Sequence, residues 1–304
     1  MEFTVGLESP FSLEYTLESG QVFRWENRGE WWYGLLPEGV LRVRQEGDLL
    51  RCASESEAID GAFVRHYFRL DADLDGIVSS IMKDERISRA VQTFYGLRLI
   101  RQRHWECLAS FVLATNSNIP RIRGMIRAVC EKLGRAFESE GATYFAFPEP
   151  DVVADAPLSE LSECGLGYRA PFLKHVAEAV SGGRVDFGEI SLLDYEDARR
   201  TLVERLEGVK TLPGVGPKVA DCVLLYSFEK DEAFPIDVWI AREIIESYPG
   251  LLDTRMKAKL GRPGKARIGA GDYASISAKV RSYFGIHAGY AQQYLYMLAR
   301  AKSR

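Results

Sequence analysis

The stretch VKTLPGVGPKVADCVLLYSFEKDEAFPIDVW, Val209–Trp239, decides how the rest of this chain is read. Leu212-Pro213-Gly214-Val215-Gly216 holds too much glycine for a helix interior. Helical patterns flank it. Upstream, Tyr195–Leu206 sets Leu202 and Leu206 four apart; downstream, Val219, Cys222, Val223, Leu225 and Tyr226 recur at helical spacing. Pro217 suits a first helical position, where its missing N–H would be unpaired anyway. The reading is helix, glycine hairpin, helix. Gly214 and Gly216 permit positive φ and close approach of a ligand to the main chain. The start of the second helix offers free N–H groups and partial positive charge, which suit a phosphate.

Two ionisable residues follow. Lys218 sits in the first turn of the second helix, and Asp237 lies nineteen residues later, after Pro235, where another helix (Val238–Glu246) begins. A lysine at a positive helix end and partly shielded from water is expected to lose its proton more easily. That makes it a candidate amine nucleophile, because a free lysine with pKa near ~10.4 is almost wholly protonated at neutral pH. Asp237 also reads as an N-cap, a role that leaves one oxygen free.

LPGVGPKVADC followed by PIDVW resembles the helix-hairpin-helix DNA glycosylases with a Gly/Pro-rich hairpin and trailing aspartate, and among them the 8-oxoguanine DNA glycosylases. The resemblance implies that Lys218 attacks the sugar C1′ with Asp237 assisting. It also implies that Leu212, Gly214, Val215 and Gly216 form a phosphate-binding hairpin, whose carbonyls can take a monovalent cation.

Further segments in matching order extend the resemblance. Ser19-Gly20-Gln21-Val22-Phe23-Arg24-Trp25, on its own a bulge signal, is similar to the family's segment whose glycine carbonyl touches the damaged base. Oxidised guanine carries a hydrogen on N7 where guanine has a lone pair. A fixed Gly20 carbonyl would accept the first and repel the second. GYAQQYLY places Gln292 and Tyr296 four apart on one helix face, as Lys218 and Cys222 are on theirs. By resemblance Gln292 meets the base edge while Tyr296 and Cys222 sandwich the ring. Asn116-Ser117-Asn118-Ile119-Pro120-Arg121 breaks two helices, and Gly165–Arg169 precedes a third, leaving Tyr168 and Arg169 on an exposed loop. The resemblance makes Tyr168 and Asn116 a wedge and gives Arg121 and Arg169 to the estranged cytosine. Ser117 departs from the family's usual triple asparagine.

Composition frames these motifs. The chain has 304 residues, 46% hydrophobic and 27% charged, as for a globular protein. No secretory signal and no apolar run approaching the ~18 residues of a membrane span is visible, so an intracellular location, with DNA, is expected. The five cysteines are scattered without a CxxC pair, which argues against a disulfide framework, a cysteine zinc site or an iron–sulfur cluster. His66, His104, His175 and His287 lack metal-ligand spacing, so no metal is expected. Net charge is −4, but residues 1–75 carry 7 Lys/Arg against 15 Asp/Glu, whereas 101–135 carry 7 against 2 and 255–304 carry 11 against 1. A local basic face can contact phosphates despite an acidic whole.

Residues 1–70 read as strands (Val22–Trp25, Trp31–Leu36, Val40–Val43, Leu49–Cys52) separated by turns, and from about Leu74 the pattern is helical. The expected fold is α+β: an N-terminal antiparallel sheet domain, 1–98, then a mainly helical helix-hairpin-helix domain, 99–304. Arg255–Arg267 reads as a basic loop. The expected function is excision of 8-oxoguanine opposite cytosine from double-stranded DNA, with a Schiff-base intermediate and β-elimination, by a monomer needing no cofactor. Two alternatives stand beside it: a glycosylase for another damaged base on the same fold, and a non-catalytic DNA-binding module.

Overall fold

The computed structural model describes residues 1–203, 212–254, 256–257 and 268–301. Leu206, Val209–Thr211 and nearly all of the basic segment Arg255–Arg267 therefore lie outside the described residues.

The N-terminal part is a five-stranded antiparallel sheet in the order β1-β5-β4-β3-β2, built from β1 (Glu2–Gly6), β2 (Trp25–Arg28), β3 (Trp31–Leu36), β4 (Gly39–Glu46) and β5 (Leu49–Ala53). The tight turns fall where glycine and polar residues cluster. Alternation sets the register: Trp32, Gly34 and Leu36 of β3 face inward. Gly34 pairs with Trp25, and a Cβ there would stand 2.5 Å from the Trp25 ring, so the missing side chain lets the indole lie across the strand. Trp25, Leu41, Val43, Leu50 and Phe68 then form one dry cluster. Each such burial contributes roughly 1.5–3 kcal/mol.

Two expectations fail here. Only Trp25 of Val22–Trp25 is in a strand, and the first 70 residues also hold β1 and two helices, α1 (Leu13–Glu18) and α2 (Gly61–Tyr67). Both helices are too short to show a period. What starts them is local: Ser12 accepts from the Tyr15 N–H and Asp60 from the Phe63 N–H.

Among the described residues the remainder is helical apart from a two-stranded hairpin, Ala136–Ser139 with Ala142–Phe145. Helices α3 (Leu74–Ile81) and α4 (Glu85–Thr93) contribute to the second, larger core, although they precede α5 (His104–Leu113). After α5 come α6 (Ile119–Leu133), α7 (Pro150–Asp155), α8 (Leu158–Glu163), α9 (Ala170–Ser181), α10 (Phe187–Leu192) and α11 (Tyr195–Val203). The chain ends with α12 (Pro217–Ser227), α13 (Val238–Ser247), α14 (Ala270–Phe284) and α15 (Ala288–Ala301). Cys107–Leu113 of α5 and Val219–Ser227 of α12 are buried without a break, which places these two helices against each other at the centre. A Cβ on Gly289 would come within 2.1 Å of Leu225 Cδ1, so this glycine lets α15 dock closely on α12.

The charge segregation is partly cancelled by folding. Arg101 pairs with Asp71 and Glu229, Arg103 with Glu38, and Arg127 with Glu26. Arg121 stays exposed with no ion pair among the described residues.

Candidate active site

The hairpin folds as the glycine count requires. Val215 donates its N–H to the Leu212 carbonyl at 3.0 Å, and both side chains are buried. Gly214 has φ +83°, and a Cβ there would press on Phe172 at 3.1 Å. Gly216 corrects the sequence reading: its φ of −96° is ordinary extended backbone. It is the exposed N-cap of α12 and supplies no side-chain cap, so the Lys218 and Val219 N–H groups have no hydrogen-bond partner among the described residues. Pro217 occupies the first turn as expected.

Lys218 is half-buried in the first turn of α12, with its ammonium 4.9 Å from the centre of the Phe111 ring. Cys222, one turn further along α12, and Asp237 at the start of α13 are the neighbouring groups that act on its charge. Burial alone pulls the lysine pKa down, but Cys222 and Asp237 more than offset it, and the net shift is upward. The expectation of a more easily lost proton is therefore not met in the free site. Burial pushes the Cys222 thiol up to about 11, so at neutral pH it is an uncharged acceptor. The charge that holds the ammonium is that of Asp237. Asp237 caps α13 by accepting the Ile240 N–H at 2.8 Å, as its position at a helix start suggests. Burial raises its pKa, partly offset by the Ile240 N–H and by Lys218.

Gly20 and Tyr296 meet although 276 residues separate them: Gly20 has φ +81°, and a Cβ there would sit 3.3 Å from the Tyr296 hydroxyl. Burial raises the Tyr296 pKa, and the nearby Asp237 adds to the shift while Lys218 opposes it. Gln292, one turn earlier on α15, is 4% exposed, and its Oε1 has no hydrogen-bond partner among the described residues. An orphaned buried acceptor facing no protein donor is suited to a ligand. Lys218, Cys222, Asp237, Gly20 and Tyr296 thus converge, with Gln292 on the same helix as Tyr296.

Three glutamines that no motif reading singled out hold the Gly20 turn. The Gln21 amide donates to the carbonyls of Thr16 and Arg98, and its Oε1 accepts the Ile100 N–H at 2.7 Å. Gln293 donates to the Ser19 carbonyl and Gln102 to the Gln21 carbonyl, each at 2.8 Å. The carbonyls on both sides of Gly20 are thereby occupied. That of Gly20 has no partner among the described residues. Phe111, also missed, floors the lysine and stacks on Tyr226 at 5.5 Å.

The wedge residues gather where α5 ends. Asn116 has φ +49°, a left-handed conformation that asparagine tolerates, and its amide donates to the Tyr168 hydroxyl at 3.3 Å. Tyr168 is 50% exposed, as a loop residue should be. Arg169 is not: it is 2% exposed, lies beneath Tyr168, and donates to the carbonyls of Thr115 and Asn116. The loop turns into a short 3₁₀ helix, Gly167–Arg169, which directs the guanidinium inward. Arg121 is exposed on the first turn of α6. Phe172 links the assemblies, packing edge-on to Tyr168 and against Gly214.

A helix, glycine hairpin and helix presenting a lysine toward an aspartate-capped helix define the helix-hairpin-helix class of base-excision DNA glycosylases. Residues 5–108 match the 8-oxoguanine DNA glycosylase N-terminal domain, and 109–257 match the HhH-GPD superfamily of base excision DNA repair proteins. The chain is 32% identical to a "Probable N-glycosylase/DNA lyase" of Methanothermobacter thermautotrophicus, over 79% of this chain and 83% of that protein. The solved structure of MBOgg1 with a low-affinity DNA ligand superposes with a TM-score of 0.86 at 30% identity, covering 100% of this chain and 96% of the other. Clostridium acetobutylicum 8-oxoguanine glycosylase/lyase, solved with double-stranded DNA containing cytosine opposite 8-oxoguanine, gives 0.80 at 28% identity, covering 97% and 93%. The chain belongs to the 8-oxoguanine DNA glycosylase/lyase family.

Proposed function

We propose that this protein removes 8-oxoguanine from duplex DNA opposite cytosine, with Lys218 as the nucleophile, and cleaves the resulting abasic strand. The observation that carries the reading is the convergence of Lys218, Asp237 and Cys222 with the Gly20–Tyr296 contact. The open N–H groups at the start of α12 receive a backbone phosphate. Tyr168 and Asn116 fill the space left as the damaged nucleotide swings out. Arg121 contacts the estranged cytosine, and Arg169 braces the wedge through main-chain carbonyls.

The extruded base lies between Tyr296 and Cys222. The Gly20 carbonyl accepts the N7 hydrogen that only the oxidised base has, and Gln292 meets the pairing edge. Lys218 first gives its proton to water, and its uncharged amine then bonds to C1′ while the bond from C1′ to the base breaks and the base leaves with the electron pair. Asp237 stabilises the developing positive charge on the sugar. The C1′ adduct opens to a Schiff base, loss of a C2′ proton breaks the 3′ carbon–oxygen bond, and the 3′ phosphate departs. No divalent metal or cofactor enters these steps. A monovalent cation held by the hairpin carbonyls, that of Leu212 among them, would strengthen the phosphate contact. We also propose action as a monomer on DNA inside the cell, with an N-terminal domain of residues 1–98 and a catalytic one of 99–304; among the described residues no helix is long and apolar enough to cross a membrane. The test is incubation with duplexes carrying 8-oxoguanine, thymine glycol, uracil or alkyladenine, opposite each base in turn. Release of 8-oxoguanine opposite cytosine is expected, and preferred release of any other base would overturn the reading.

A further inference from the structure

A second carboxylate lies between Lys218 and Asp237 in the sequence, and the chemistry above does not use it. Asp221 is one turn beyond Lys218 on α12 and 0% exposed. Its Oδ1 accepts from the Tyr195 hydroxyl at 2.8 Å and from Arg199 Nε at 3.1 Å, and its Oδ2 accepts from the Tyr273 hydroxyl at 2.6 Å. Tyr273 comes from α14 and is 4% exposed. Its hydroxyl oxygen accepts the main-chain N–H of Ile236 at 3.1 Å. Ile236 immediately precedes Asp237, whose carboxylate caps α13.

The direction of these bonds matters. A hydroxyl that donates to an anion has its proton fixed, so its remaining lone pair is aimed, here at Ile236. Burying a carboxylate with a guanidinium is a poor way to gain stability, because well-packed apolar residues usually do as well or better. What this set does accomplish is a continuous polar link from the helix that carries Lys218 to the residue that leads into Asp237. The connecting segment, residues 229–237, has no helix or strand of its own to fix its length.

We propose that Tyr273 and Asp221 are positioning residues that hold Asp237 opposite Lys218 through the Ile236 N–H. The proposal rests on Lys218 and Asp237 being the catalytic pair. The test is Tyr273→Phe in the full chain, which removes one oxygen and keeps the ring. Single-turnover excision at saturating 8-oxoguanine duplex is expected to fall roughly tenfold, with the Kd for that duplex unchanged. Made in an Asp237→Asn background, the same substitution should cost nothing more, because its effect passes through Asp237. Asp221→Asn, which still offers an oxygen to Tyr273, should retain more activity than Asp221→Leu. A purely structural role would lower the Tm of Tyr273→Phe while leaving the saturated rate at wild-type level well below the melt, and that result would overturn the proposal. So would an equal loss in the Asp237→Asn background, or a crystal structure of Tyr273→Phe with Asp237 unmoved. Failure of the catalytic reading looks different: Asp237→Asn itself would then keep the wild-type rate.

Discussion

Replacing Gly20 by alanine separates backbone strain from base recognition. At φ +81° an L-residue is strained by about 1–2 kcal/mol, and the new methyl would stand 3.3 Å from the Tyr296 hydroxyl and 3.5 Å from Ile119 Cδ1. Neither contact is prohibitive, because Tyr296 can retreat a few tenths of an ångström. The fold should therefore survive with a loss of about 1–2 kcal/mol, measured by denaturant unfolding monitored by circular dichroism. Recognition should suffer more. If the turn relaxes and the Gly20 carbonyl no longer meets the N7 hydrogen, a buried donor is left unpaired at a cost of about 1–3 kcal/mol. That corresponds to roughly a 5- to 150-fold slower excision in single-turnover assays. Affinity for a duplex with an abasic site, which has no base to read, should barely change. Excision of 8-oxoguanine by Gly20→Ala at the wild-type rate would refute the carbonyl's role.

Other predictions follow from the same geometry. The Lys218 pKa is shifted upward and the reactive form is the unprotonated amine, so raising the pH enlarges the competent fraction; single-turnover excision should climb about tenfold per pH unit from roughly pH 6 to pH 8, and a flat profile would contradict the mechanism. Tyr168→Ala should slow excision about tenfold when the lesion is paired with cytosine and less when it is already unstacked in a mismatched bubble, which 2-aminopurine fluorescence beside the lesion can follow. Gly34→Ala, by overpacking Trp25, should lower stability by about 1–3 kcal/mol in chemical denaturation while leaving the excision rate at 25 °C unaltered.

The parts of this molecule that were legible in its sequence are those where one residue type has one physical meaning. Glycines and a proline between two apolar periods mark the hairpin, and Asp237 before Val238-Trp239-Ile240 marks a cap that the structure contains. Helices of a few residues, such as α1, were hidden because a serine cap and one and a half turns leave no period. The direction of the Lys218 shift was illegible for another reason. It is a contest between burial on one side and Cys222 and Asp237 on the other, and linear position reveals the helix end but not which groups face it. Arg169 was misread as exposed because its acceptors, the Thr115 and Asn116 carbonyls, lie on a distant helix end. Gln21, Gln102 and Gln293 donate to main-chain carbonyls, which carry no sequence identity, so their bracing role was illegible even where Gln21 and Gln293 lie within the quoted segments.

The most direct measurement is reduction by borohydride during incubation with an 8-oxoguanine duplex, followed by peptide mapping of any protein–DNA adduct. A stable adduct on Lys218 that is absent from Lys218→Gln is expected. An adduct that persists in Lys218→Gln, or base release by wild-type protein without any adduct, would contradict the account.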